Sequence, residues 1–337
     1  MKKVLVFGGG TGMSYLLRGL KQYPLDITAV VSVCDDGGST GILRDEFNML
    51  AVGDIRKVLI SLSKTEGEFE DLLNYRFKSD GTLNKHTVGN ILLTAAANIK
   101  GSMSGGIGIL SKVLNLNGKV IPFTEDAVTL VGEMEDGSIV RGEHFITQTP
   151  KNIKRVYYEE EPKISKELIW EIYNSDIIVL SMGSLFTSVI PTLLSSEVRN
   201  AIDNSTAKIV YSCNLFTQPG ETDGFTVSKH IETLNSYLGK RKVEYVIANS
   251  TKISGDLANK YSTEEQKDPI VLDLAKTRKL CKKVIVDDLV ITENNVFRHD
   301  YFKLGYLIFS LTFDYNYKKD VIGGSNEKDK WFVWYKK

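Results

Sequence analysis

Met1-Lys-Lys-Val-Leu-Val-Phe7 runs directly into Gly8-Gly9-Gly10-Thr11-Gly12. An apolar run followed by four glycines in five residues reads as a first β-strand that delivers a tight turn to the start of a helix. The next residues agree: Leu16, Leu17 and Leu20 share one helical face, with Arg18 and Lys21 on the other. Glycines let backbone approach a ligand closely, and the free N–H groups of a helix start attract phosphate. The expected ligand over residues 8–14 is a nucleotide or phosphorylated metabolite, contacted by Gly9, Gly10, Thr11, Gly12 and Ser14. A strand–helix turn that binds nothing is the alternative.

The spacing narrows the ligand. A dinucleotide fingerprint needs glycines at relative positions one, three and six. Counted from Gly8 the third falls on Met13, and counted from Gly10 it falls on Tyr15. No NAD or FAD fingerprint is present. No Lys-Ser or Lys-Thr follows the loop, so it is not a P-loop either.

Composition sets further bounds. The 337 residues are 42% hydrophobic and 25% charged, with 42 basic and 42 acidic side chains. That describes an ordinary globular chain with no electrostatic footprint for nucleic acid or an anionic membrane. No apolar stretch is long enough to span a bilayer, and the glycine turn interrupts any signal-peptide pattern. Cys34, Cys213 and Cys281 are widely separated in apolar runs and read as core residues of a cytoplasmic protein. His86, His144, His230 and His299 show no zinc spacing.

Strand-like runs at Lys3–Phe7, Ile27–Val33, Ile177–Ser181, Lys208–Ser212, Val243–Ala248 and Lys283–Val286 are short, rich in Val and Ile, and mostly not alternating. Such runs mark parallel strands covered on both faces. Helical patterns lie between them, at Tyr15–Gln22, Lys166–Asn174, Ser196–Asp203, Val227–Leu238 and Phe302–Phe313. The expected fold is α/β: a Rossmann-like, doubly wound, mainly parallel sheet in one domain over residues 1–313. Residues 54–116 read as a helical insertion. Residues 118–160 read as a small antiparallel β insertion, with a hairpin turning at Glu135-Asp136-Gly137. Both would wall a cleft beyond the C-terminal strand ends. The aromatic, basic residues 314–337 read as a peripheral tail.

Several turns at predicted strand ends carry candidate chemistry. Cys34-Asp35-Asp36-Gly37-Gly38-Ser39 offers two carboxylates, of which one would face the cleft, and a second anion cradle. Asp54, in Gly53-Asp54-Ile55-Arg56, would cap the following helix or join Asp35 and Asp36 around Mg²⁺. His86-Thr87-Val88-Gly89-Asn90 opens a helix and offers His86 and Asn90. Gly183-Ser184 follows the strand at 177–181. Cys213–Gly224 is the richest segment: Asn214, Thr217 and Gln218 to read a base or sugar, and Gly220, Glu221, Thr222 and Asp223 for hydroxyl groups or a metal. Phe297-Arg298-His299-Asp300 supplies a cation for a diphosphate or, equally, a surface salt bridge. No nucleophile elbow and no Cys/His pair is present.

Taken together, Gly8–Ser14, Asp35–Ser39, Gly53–Arg56, His86–Asn90, Gly183-Ser184 and Thr217–Gly224 resemble one family over residues 1–312. It contains the 2-phospho-L-lactate transferases (CofD-like proteins) and the bacterial gluconeogenesis factors (YvcK-type). The 217–224 segment and Gly-Thr-Gly-Met-Ser are similar to the second branch. The transferase branch implies transfer of phospholactate from a guanosine diphosphate carrier to a deazaflavin alcohol, with Mg²⁺. The gluconeogenesis-factor branch implies binding of UDP-sugars and support of cell shape and wall synthesis on gluconeogenic carbon. Arg298 stands where that branch carries an arginine expected to contact the nucleotide sugar. Met182 and Ala51-Val52 replace prolines usual in the family. The expected partner is a nucleotide sugar or nucleotide-linked phospho-metabolite, with a homodimer as the expected assembly. The two functional expectations are a UDP-sugar-sensing regulator and a Mg²⁺-dependent phosphotransferase whose catalytic candidates are Asp35, Asp36 and Asp54.

Overall fold

The structure is a computed structural model that describes residues 1–47, 49–64, 67–253 and 255–313, without the side chain of Ser39. The tail at 314–337 lies outside the described residues. Twelve strands follow in chain order: β1 (Lys2–Gly8), β2 (Leu25–Val31), β3 (Lys119–Pro122), β4 (Leu130–Met134), β5 (Ile139–Arg141), β6 (Ile153–Tyr158), β7 (Ile177–Leu180), β8 (Lys208–Ser212), β9 (Tyr245–Asn249), β10 (Lys283–Asp287), β11 (Val290–Glu293) and β12 (Val296–His299).

Seven of them form one parallel sheet in the order β10-β9-β8-β7-β1-β2-β3. β1 is central. Val4 stands beside Ile27 on one flank and Ile177 on the other. Val4 through Phe7 are buried, as the unbroken apolar run requires of a strand covered on both faces. The chain leaves β1 toward β3, returns to β7, and then proceeds the other way. This is the doubly wound order, with its reversal between β1 and β7.

Helices fill the crossovers. Helix Gly10–Leu20 buries Met13, Leu16, Leu17 and Leu20 and packs between helices Gly53–Leu62 and Tyr301–Thr312. The expected helical insertion is present as Gly53–Leu62, Gly67–Asn74, Val88–Lys100 and Met103–Val113. Thr87 caps the third of these by accepting the Asn90 N–H at 3.3 Å.

Three details depart from expectation. Lys119–Pro122 is not part of the antiparallel insertion; it pairs parallel to β2 as the last strand of the main sheet. Its brevity and terminal proline suit an edge. The antiparallel sheet is β5-β4-β6 alone. The second half of the turn expected over residues 34–41 is instead the start of a helix, Gly38–Phe47. Finally, β11 and β12 make a separate hairpin that carries Arg298.

Candidate functional site

The turns after β1 and β7 meet where the sheet reverses direction. Gly10 opens its helix at φ +67, a conformation L side chains resist. Gly12 has no room for a side chain: a Cβ would stand 2.0 Å from the Met182 carbonyl oxygen. The two turns therefore touch backbone to backbone. Among the described residues no side chain caps the helix at Gly9, so its first N–H groups open on the cleft.

Asn214, at the end of β8, locks the second turn. Its Oδ1 accepts the Gly183 N–H at 3.1 Å, and its Nδ2 donates to the Gly183 carbonyl at 2.6 Å. Ser184 caps the following turn by accepting the Thr187 N–H, and its hydroxyl donates to Glu221 Oε2 at 2.5 Å.

Two connected hollows open here. The larger, of about 610 Å³, lies between the glycine turn, the Met182–Ser184 turn, the Asn214–Gln218 loop and β12. The smaller, of about 270 Å³, shares Gly10, Ser184, Ser188 and Gln218 with it. In the larger, the Arg298 guanidinium lies 5.3 Å from the Tyr15 ring centroid and has no hydrogen-bond or ion-pair partner among the described residues. Tyr15 is held in turn by donating to Glu293 Oε2 at 3.1 Å. His299 beside it is not a second cation. Burial pushes its pKa down to about 4, against a hydrogen bond to the Cys213 carbonyl.

The smaller hollow is acidic. Asp35, Asp54, Glu143 and Glu221 line it, opposed by Lys57, which pairs with Asp54 at 3.0 Å. Burial raises the Asp35 carboxyl above its usual range, and Asp54 adds to the effect. Burial likewise pushes Glu143 up to about 8, helped by Asp35 and Glu221, and Glu221 to about 6. Among the described residues no three His, Cys, Asp or Glu side chains are grouped to hold a metal by themselves.

The cleft gathers most of the residues singled out from sequence. Gly9, Gly10, Thr11, Gly12, Gly183, Ser184, Asn214, Thr217, Gln218 and Arg298 line the larger hollow, and Asp35, Asp54 and Glu221 the smaller. Several have structural duties. Ser14 is buried and donates to the Gly10 carbonyl. Asn214 is committed to Gly183, and Thr217 Oγ1 accepts the Asp268 N–H. Gln218 Oε1 alone of these three has no partner among the described residues. Thr222 Oγ1 accepts the Gln218 N–H and Asp223 the Gly220 N–H, tying the loop to itself. Asp54 does not cap its helix, whose N-cap is Val52; it sits in the first turn instead.

Others stand apart. Asp36 accepts the His144 N–H at 2.7 Å and so fastens the β insertion rather than facing the hollow. The Gly37 N–H turns back onto Asp35, and Gly38 starts a helix. The Ser39 side chain lies outside the described residues. His86 and Asn90 are buried and line neither hollow. Glu143 was not legible as a site residue: the β insertion was expected to wall the cleft, but nothing in Arg141-Gly142-Glu143-His144 marks which side chain faces it. Tyr15, read only as part of a helix, carries no sequence mark of its aromatic contact with Arg298.

Fold and cleft together define a doubly wound α/β protein with a cleft at its sheet reversal. The family described as 2-phospho-L-lactate transferase CofD matches residues 4–290. A gluconeogenesis factor of Halalkalibacterium halodurans is 43% identical over 89% of this chain and 93% of its own. The gluconeogenesis factor of Bacillus subtilis is 41% identical over 92% of this chain and 98% of its own. A crystal structure of a UPF0052 family member from Bacillus halodurans superposes with a TM-score of 0.88 at 43% identity, covering 91% of this chain and 99% of that one. The chain belongs to the CofD family. No helix among the described residues is long and apolar enough to cross a membrane.

Proposed function

We propose that the protein is a regulator of the gluconeogenesis-factor type that binds a UDP-sugar in the larger hollow. The observation that carries this is Arg298, an unpaired cation held on Tyr15 at the rim of a hollow floored by the Gly9–Gly12 helix start. A diphosphate satisfies both halves at once: its oxygens accept the free helix N–H groups and neutralise the guanidinium. Gln218 Oε1 remains to accept from the base or sugar. A volume of about 610 Å³ suits a ligand of that size. The similarity to gluconeogenesis factors supports the regulatory branch. The role then carried to this chain is support of cell shape and wall synthesis on gluconeogenic carbon, in the cytoplasm. Calorimetric titration with UDP-N-acetylglucosamine tests the reading. Saturable binding supports it, and no heat at millimolar ligand, with GDP binding instead, removes it.

A second reading is favoured by the acidic hollow. Asp35 and Asp54 face the glycine turn, where Mg²⁺ shared between them and a bound phosphate would neutralise charge during phospholactate transfer. In that reading the chain positions the phosphate on the helix start, and Lys57, paired with Asp54 at 3.0 Å, holds that carboxylate in place. Incubation with a nucleotide-linked phospholactate and a deazaflavin alcohol discriminates: product that depends on Mg²⁺ favours this reading, and none abandons it.

A further inference from the structure

Among the described residues, ten buried side-chain polar atoms have no hydrogen-bond partner, and four of them are Arg56 Nε, His86 Nδ1, Asn90 Oδ1 and Thr94 Oγ1. Each of these four residues is 7% exposed or less, and none lines either hollow. Three of them lie on one helix or its lead-in, and the fourth residue packs its stem against that helix. The stem of Arg56 lies against Gly89, where a Cβ would stand 2.8 Å from Arg56 Cδ. Asn90 follows Gly89, Thr94 shares the helix face of Asn90, and His86 precedes the Thr87 cap of the same helix.

The anomaly is Arg56. It has no ion pair among the described residues. Asp54, two residues away, is engaged by Lys57. The charged side chain that acts on it most is another cation, Arg76. Burial and Arg76 lower its pKa to about 10, which leaves it charged at neutral pH. A buried guanidinium without a counter-charge is strongly unfavourable, and water does not neutralise it. The helix start packed against its stem carries an imidazole, His86, and a carboxamide, Asn90, each able to present a donor to an oxyanion.

We propose that Arg56, His86 and Asn90 form a second oxyanion site, separate from the nucleotide cleft, that takes a small tetrahedral anion of the phosphate class. The guanidinium supplies charge and a fork of donors, and Gly89 leaves the room its stem needs. The site goes beyond the function proposed for the cleft and stands or falls independently of it.

Thermal unfolding of the whole chain tests it, with inorganic phosphate against chloride at matched ionic strength. Phosphate at about ten times its dissociation constant raises the wild-type midpoint by roughly 2–4 °C. Arg56→Met, which exchanges an unpaired buried charge for an apolar chain, loses that increment while its midpoint in chloride equals or exceeds that of wild type. Asn90→Asp, which places a fixed anion beside Arg56, also raises the chloride midpoint and abolishes the increment. Arg298→Ala, altered in the cleft, keeps it. No increment in the wild type, or an equal one in Arg56→Met, overturns the proposal. Loss in Arg298→Ala overturns it as well, because the phosphate would then be sitting in the cleft.

Discussion

Ser184 Oγ donates to Glu221 Oε2 at 2.5 Å, so the turn after β7 and the loop after β8 are joined through one buried carboxylate. With Glu143 across the same hollow, this makes folding stability depend on pH. Both carboxyls have folded-state values above the unfolded value of 4.5, about 6 for Glu221 and about 8 for Glu143. Their contribution is complete below pH 4.5 and is lost as pH rises through those folded values. Urea midpoints should therefore fall between pH 5 and 9. Glu143→Gln should flatten the upper half of that decline and exceed wild type at pH 9. A level wild-type profile across the window would sink this account.

Gly12→Ala tests the contact between the two turns. The new methyl meets the Met182 carbonyl, which is backbone and cannot swing aside. The turns must separate, at a cost of about 1–3 kcal/mol. Ligand affinity should fall with stability. An alanine variant with an unchanged denaturation midpoint contradicts the close approach.

Asn214→Ala leaves the Gly183 N–H and carbonyl without their side-chain partner. The expected loss is about 1–3 kcal/mol of stability, together with weaker ligand binding because the floor of the cleft loosens. Asn214→Asp restores only the acceptor and should recover only part of each. Equal behaviour of the two variants in chemical denaturation would show that the acceptor half of the clamp contributes nothing.

Arg298→Ala should separate binding from folding. The guanidinium rests on Tyr15 and pairs with nothing else among the described residues, so its removal should leave the thermal midpoint close to wild type. UDP-N-acetylglucosamine affinity should drop roughly 10–100-fold. Arg298→Lys should keep charge but lose the planar fork and fall between the two. Titration calorimetry reads all three. Undiminished affinity in the alanine variant would exclude a diphosphate contact.

Much of the fold was legible because buried parallel strands announce themselves. Lys208–Ser212 and helix Lys166–Asn174 coincide with expectation to the residue. What failed did so for local reasons. Val120-Ile121-Pro122 is too short to reveal which sheet it joins, since partner choice is a tertiary matter. Cys34–Gly41 reads as a turn because of its glycines and hydroxyls, yet a helix begins at Gly38, which adopts φ +51. In the site, residue type showed where polar groups gather but not what they face. Asn214 spends its amide on Gly183, and His86 with Asn90 belongs to a different neighbourhood from the cleft. Of the adjacent pair, Asp35 faces the hollow and Asp36 does not, as alternation along an extended segment requires.

The central position of β1 also shapes how this chain must be made. The Lys3 N–H donates to Asp176 Oδ2 across a separation of 173 residues. A ribosome adding 5–20 residues per second takes roughly 10–35 s to supply that second neighbour. Throughout that interval the first strand presents an open hydrogen-bonding flank of Val, Leu and Phe to whatever is nearby. Synthesis of this protein thus includes a vulnerable period fixed by strand order, and newly made chains should depend on chaperone shielding until the second half of the sheet arrives.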